Sequence, residues 1–219
     1  MKVVETAAPT VLLVLIIAGF LSPALAQDND DSQLAAGERV FNTVAGIGCK
    51  TCHGEYAEGD VGVGPYLRGS SEGTIRAAID ATGEMVVIKN VITEDEIKAV
   101  VAYVGKLGTL QPVRTLAKRG RFLPQEISIR PGTGVQLIIQ NASIQPHTFK
   151  SDNMNIEELI IAGRSSGSLE WRAPETEGEF AVYCTNCKLK DQLFVIKVAA
   201  SAAPFRQVAP VGTTTDSAM

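Results

Sequence analysis

Gly48-Cys49-Lys50-Thr51-Cys52-His53-Gly54 decides the reading of the first half of the chain. In Cys-x-x-Cys-His the two thiols can add to the vinyl groups of a haem. The histidine that follows at once is then fixed beneath the iron as its proximal ligand. The alternative is a disulfide with an incidental histidine. The 219 residues contain two histidines in all, so that coincidence would be large. The motif therefore predicts one covalent haem c on Cys49 and Cys52, with His53 as an axial ligand.

The flanks carry helical patterns. Leu34 to Ala45 places Leu34, Val40, Phe41 and Val44 at helical spacing, with Gly37 on the same side. Glu72 to Ala81 is a shorter helix. Thr93 followed by Glu96 makes a capping box, and the helix it opens runs to about Leu107 with Ile97, Val100, Val101 and Val104 as its stripe. Over residues 33–110 the chain resembles the small class I cytochromes c. Gly37 and Phe41 match that family's first-helix pair, and Tyr103 matches the aromatic of its last helix. The resemblance implies that these helices cross closely at the glycine. Gly64-Pro65 matches the turn whose proline carbonyl orients the proximal histidine. Met85, in Gly83-Glu84-Met85, stands where the family carries its axial methionine. A thioether there raises the reduction potential and closes the iron to outside ligands. The alternative for Met85 is core filling.

From Phe122 the period changes to two. Ile127 and Ile129 alternate with Ser128 and Arg130, and Pro131-Gly132-Thr133-Gly134 is a turn. Val135–Gln140, Leu169–Ala173, Glu179–Cys184 and Leu193–Val198 read as further strands, which argues a small β-sandwich. Over residues 121–200 the order of features resembles the cupredoxins, whose fold is a Greek-key sandwich. Asn141 to Pro146-His147-Thr148-Phe149 matches the loop that delivers their first histidine ligand. Gly178 to Cys184 matches the strand that ends in their cysteine ligand. With only two histidines, the usual His-Cys-His site is impossible. The resemblance instead puts Cys187 at the second histidine's position and Gln192 at the axial one. Three readings stay open: copper on His147, Cys184, Cys187 and Gln192; a Cys184–Cys187 disulfide without metal; or a redox-active dithiol or another metal. Met154 reads as core filling, and so does Trp171.

The rest of the chain sets the context. Lys2, the apolar run Val11–Phe20 and the Ala24-Leu25-Ala26 end read as a secretory signal, residues 1–26, cleaved after Ala26. An uncleaved anchor is the alternative. Residues 27–32 read as a mobile lead-in. Residues 27–110 hold 13 acids against 7 bases, whereas 111–122 hold four bases and no acid. Residues 111–120 therefore read as a basic linker: a solvated tether, a strap that folds against the first domain's acids and holds the domains together, or a surface that greets an acidic partner. Residues 201–219 read as a disordered tail. Nothing suggests nucleic-acid binding, a nucleophile triad or a phosphate loop. The expectation is two domains, an all-α cytochrome c fold and an all-β cupredoxin-like sandwich. They would form a periplasmic electron carrier, not itself an enzyme. Its partners would be redox proteins, a membrane or periplasmic oxidoreductase. Membrane contact would be transient, or through an uncleaved anchor. Copper handling as a chaperone or sensor, or service as the electron-transfer subunit of a larger oxidoreductase, are the rival functions.

Overall fold

The structure, a computed structural model, describes residues 24–59, 62–187 and 193–205. Most of the export segment and residues 206–219 of the tail lie outside it.

The helices lie in the first part of the chain, between residues 24 and 108. α1 (Ala24–Thr43) is followed by a 3-10 turn (Val44–Gly46) and by α2 (Lys50–His53), which carries the motif. Then come α3 (Glu72–Ala81), a turn at Gly83–Met85, α4 (Val86–Lys89) and α5 (Glu94–Gly108). The segment read as a mobile lead-in, 27–32, lies within α1. Thr93 caps α5: its hydroxyl accepts from Glu96 N–H, and the Glu96 carboxylate accepts from Thr93 N–H at 2.8 Å. α1 and α5 cross at Gly37, where a Cβ would stand 2.0 Å from Ala99 O and 2.8 Å from Tyr103 Cβ. The backbones can meet only because Gly37 has no side chain. Next to this crossing the Phe41 and Tyr103 rings pack with centroids 5.5 Å apart. Phe41 is fully buried, with Val100, Val104, Ile75 and Ile79 in the same core.

Among the described residues, nine strands follow. β1 (Gln111–Lys118), β2 (Arg121–Leu123), β4 (Gly134–Asn141) and β7 (Ser166–Arg172) form a four-stranded sheet in the order β2-β1-β4-β7. β3 (Glu126–Ile129), β9 (Leu193–Val198), β8 (Gly178–Cys184), β5 (His147–Ser151) and β6 (Ile156–Ile161) form a five-stranded sheet in the order β3-β9-β8-β5-β6. β1 runs parallel to β4 and β3 parallel to β9; the other pairs are antiparallel. Val135, Leu137 and Ile139 of β4 meet Val182, Phe194, Ile196 and Phe149 across the sandwich core. Met154 fills that core, while Trp171 sits at its edge against Phe180.

Two expectations need correction. Residues 111–120 are not a linker. Val113, Thr115 and Ala117 alternate inward, and Gln111 to Ala117 pair with Val135 to Asn141. The segment is a strand because β-branched residues on one face can be buried while the charged ones point away. The tail is not free from residue 201 onward. Ala202 is buried, its N–H donates to Ala199 O, and Arg130 Nε donates to its carbonyl at 2.9 Å.

With no tether, the helical residues pack directly on the sandwich. Gln136 and Ile138 point away from the sandwich core, yet both are buried. The contacts across this outer face come from helical residues. Arg68 reaches Gln136, the Tyr56 hydroxyl meets Ser168, Arg114 pairs with Glu58, and Lys106 pairs with Glu170 at 2.8 Å. Within the basic segment Arg114 meets an acid of the helical part, Glu58, whereas Arg119 and Arg121 lie beside His147 at the other end of β1.

Candidate functional site

Cys49, Cys52 and His53 from α2 and its N-cap, and Met85 from the Gly83–Met85 turn, all line one cavity of about 480 Å³. That volume lies in the ordinary range for small-molecule and cofactor sites, about 300–1,000 Å³. Phe41, Leu67, Ile75, Ile79, Ile88 and Val104 supply apolar walls, while Ile47, Val63 and Val87 stand exposed at its edge. The single turn of α2 sets Cys49, Cys52 and His53 on consecutive steps around that wall. Neither Cys49 nor Cys52 is in a disulfide. Burial pushes the Cys49 thiol up to about 11, so it is protonated at neutral pH.

His53 is held in one orientation. Its Nδ1 lies 2.8 Å from Pro65 O. A carbonyl oxygen can only accept, so Nδ1 carries the proton and Nε2 keeps its lone pair for a metal. Gly64 packs flat against the ring: a Cβ there would stand 2.6 Å from His53 Nδ1 and 2.7 Å from Cε1. Gly64 N–H also donates to Cys52 O at 2.8 Å, which ties the Gly64-Pro65 turn back to the motif. Pro65 and Met85 both line the cavity, from different segments of the chain. The residues present fit a covalently held haem: Cys49 and Cys52 would anchor it, and His53 and Met85 would offer nitrogen and sulfur to its iron.

The second cluster lies at the far end of the sandwich. One ligand atom each from His147, Cys184 and Cys187 fall within 4.8 Å of one another. His147 opens β5 and Cys184 closes β8, and the two strands pair at Phe149 and Cys184. Cys184 and Cys187 are joined in a disulfide. In that state neither sulfur is a thiolate, so no two-thiolate metal site exists until the bond is reduced. Gln192, the proposed axial ligand, lies outside the described residues.

Sequence reasoning named Asn141 only as the start of this loop and missed Asn186 altogether. Asn186, between the two cysteines, accepts from Thr148 N–H at 3.0 Å and lies 3.3 Å from His147 Nδ1. Asn141 is fully buried. Its amide donates to Gln145 O, Ile161 O and Ala162 O, and its Oδ1 accepts from Ser143 N–H. It thereby shapes the loop that delivers His147, in the manner of an Asx turn. Arg119 and Arg121, at the tip joining β1 and β2, line a small cavity with His147 and both cysteines. A Ser-Ile-Gln-Pro loop after an asparagine was the one available signal; the rest comes from distant segments.

The sandwich identifies the class. The profile of the cupredoxin-like domain matches residues 81–195, a little over half of the chain, and the chain belongs to that family. The match begins at Ala81, inside the helical part, whereas the sandwich begins at Gln111. No curated protein sequence matches. Among solved structures, auracyanin A, a blue copper protein from Chloroflexus aurantiacus, aligns at 13% identity and a TM-score of 0.34. That alignment covers 41% of this chain and 98% of auracyanin. Amicyanin from Paracoccus versutus aligns at 13% identity and 0.31, covering 40% of this chain and 81% of amicyanin. The metal-binding domain of the Cu(I)-exporting ATPase CopA of Streptococcus pneumoniae aligns at 16% and 0.35, covering 42% of this chain and 87% of that domain.

Proposed function

We propose that this chain is an exported, periplasmic one-electron carrier with one covalent haem c in its helical part. The observation that supports it is the convergence of Cys49, Cys52, His53 and Met85 on one apolar cavity, with His53 Nδ1 tied to Pro65. When bound, a haem whose iron takes two protein ligands would supply outer-sphere electron transfer. Cys49 and Cys52 anchor it. His53 offers Nε2 because Pro65 O occupies Nδ1. Met85 offers a soft thioether, which favours the reduced state. Phe41, Ile75, Val104 and their neighbours keep water out and so keep reorganisation small.

The partners in this reading are redox proteins, a membrane or periplasmic oxidoreductase. The chain reaches a membrane only in passing or through an uncleaved signal segment; no described helix is long and apolar enough to cross one. The class I cytochrome c resemblance of residues 33–110 is part of the proposal, and it rests on the Gly37–Ala99 crossing together with the cavity. Coproduction with a c-type cytochrome maturation system should yield a red protein whose haem stays bound in denaturing gels. Haem that extracts into acid acetone defeats the reading.

A second reading concerns the sandwich. Cupredoxin-like folds serve copper-binding electron transfer and copper handling. One observation favours a metal here: the His147 ring lies within 4.8 Å of both sulfurs. Two thiolates and one imidazole suit Cu(I), and they become available once the disulfide is reduced. The test is copper uptake by the reduced protein. One equivalent per chain supports the reading, and uptake that survives Cys184→Ser with Cys187→Ser refutes it.

A further inference from the structure

Arg68 is the largest fully buried side chain among the described residues, although arginine is seldom buried unless paired. It has no carboxylate at hand in its hydrogen bonds. Nη1 donates to Tyr56 O at 3.1 Å and to Gln136 Oε1 at 2.5 Å. Nη2 donates to Leu107 O at 2.7 Å and to Leu110 O at 3.0 Å. Those acceptors belong to three different segments. Tyr56 is in the loop directly after His53. Leu107 and Leu110 are the last carbonyls of α5 and the entry to β1. Gln136 is on β4, and its own Nε2 passes the contact on to Ser168 of β7 at 3.2 Å. One guanidinium therefore joins the loop after the histidine, the last helix and the sandwich.

Arg68 stands three residues after Pro65, whose carbonyl fixes His53. Backbone bonds hold the chain on either side of Arg68, Leu67 N–H to Ala57 O at 3.0 Å and Gly69 N–H to Val104 O at 2.7 Å. A Gly69–Gly108 contact so close that a Cβ at Gly108 would stand 2.5 Å from Gly69 completes the seat. Burial disfavours the charged guanidinium, which makes its carbonyl and amide acceptors costly to lose.

We propose that Arg68 is a positioning residue for the proximal histidine: by clamping the Pro65 loop to Gln136 of the sandwich, it lets the sandwich set the potential of the His53-ligated iron. The proposal rests on the haem reading. The mechanism is mechanical. The bond from Nδ1–H to Pro65 O makes the imidazole more electron-rich, which favours ferric iron and lowers the potential. A loosened clamp lets Pro65 drift, weakens that bond and raises the potential.

The test uses full-length holoprotein carrying Gln136→Met or Arg68→Lys. Both keep the buried charge, so a Coulombic effect is held constant. Gln136→Met keeps the side chain's shape and decides the matter if Arg68→Lys does not fold. At a fixed ambient potential, both variants should raise the reduced-to-oxidised ratio about threefold, which is about 28 mV at 59 mV per tenfold. The His53 Nδ1 proton should exchange with solvent about tenfold faster by NMR. Glu170→Ala removes an exposed ion pair across the same interface and should change neither. An unchanged ratio and an unchanged proton in Gln136→Met overturn the proposal. If the wild type carries no covalent haem, the haem reading fails separately. Hydrogen exchange in the haem-free chain then decides the clamp: faster exchange at the Leu67 and Gly69 amides of Gln136→Met supports it, and unchanged exchange overturns it.

Discussion

Gly64→Ala should disturb the histidine site more than its single methyl suggests. The new Cβ would stand 2.6 Å from His53 Nδ1, 2.7 Å from Cε1 and 3.0 Å from Cys52 O, where ordinary contact begins at 3.4 Å. The ring must retreat by about 0.8 Å to reach that contact. It cannot do so freely, because its Nδ1 is held at 2.8 Å from Pro65 O on the residue next to the new methyl. Overpacking of this kind costs about 1–3 kcal/mol. Loss of the Nδ1–H bond adds about 1 kcal/mol. The expected loss is therefore about 2–4 kcal/mol, or about 4–16 °C in melting temperature for a chain of this size. Calorimetry of the holoprotein measures the melting shift, and NMR reads the His53 Nδ1 proton. A melting temperature within about 1 °C of wild type, with that proton unmoved, would refute the packing argument for Gly64.

Other consequences are as definite. Phe41→Ala empties a fully buried site against Tyr103 and should cost about 3–5 kcal/mol, read by urea unfolding. Glu58→Gln should weaken the attachment of the helical residues to the sandwich, because Arg114 then faces a neutral amide; the stability gap from wild type should close as salt is added. Burial holds the Tyr103 hydroxyl above its ordinary value near 10. Its folded-state stabilisation is complete below that value and is lost as pH rises through the elevated one, so alkaline unfolding should be less steep in Tyr103→Phe. Thiol counts on denatured holoprotein should give no alkylable cysteine before reduction and two, Cys184 and Cys187, after it.

The parts of this molecule that could be read early were those whose chemistry is local. Cys49, Cys52 and His53 are neighbours in sequence, and the Thr93–Glu96 capping box spans one turn. Gly37, Phe41 and Tyr103 were legible as a set through family resemblance, and the crossing at Ala99 gives the steric reason. The β1 segment was misread although its period was present. Val113, Thr115 and Ala117 alternate as a strand should, but four bases close together suggested a solvated tether, and only the face opposite them is buried. Arg68 carried no signal at all, because its acceptors lie 12 to 68 residues away. The state of Cys184 and Cys187 was equally illegible. The same pair, three residues apart, serves a disulfide or a metal, and the difference is two electrons that sequence does not record.

Peptide mapping of denatured holoprotein by mass spectrometry tests the central claim most directly. The account predicts one haem per chain, attached through both Cys49 and Cys52, on the segment that carries His53. A single attachment at a different cysteine, or an unmodified Cys49–Cys52 segment joined by its own disulfide in protein made with full maturation machinery, would contradict it.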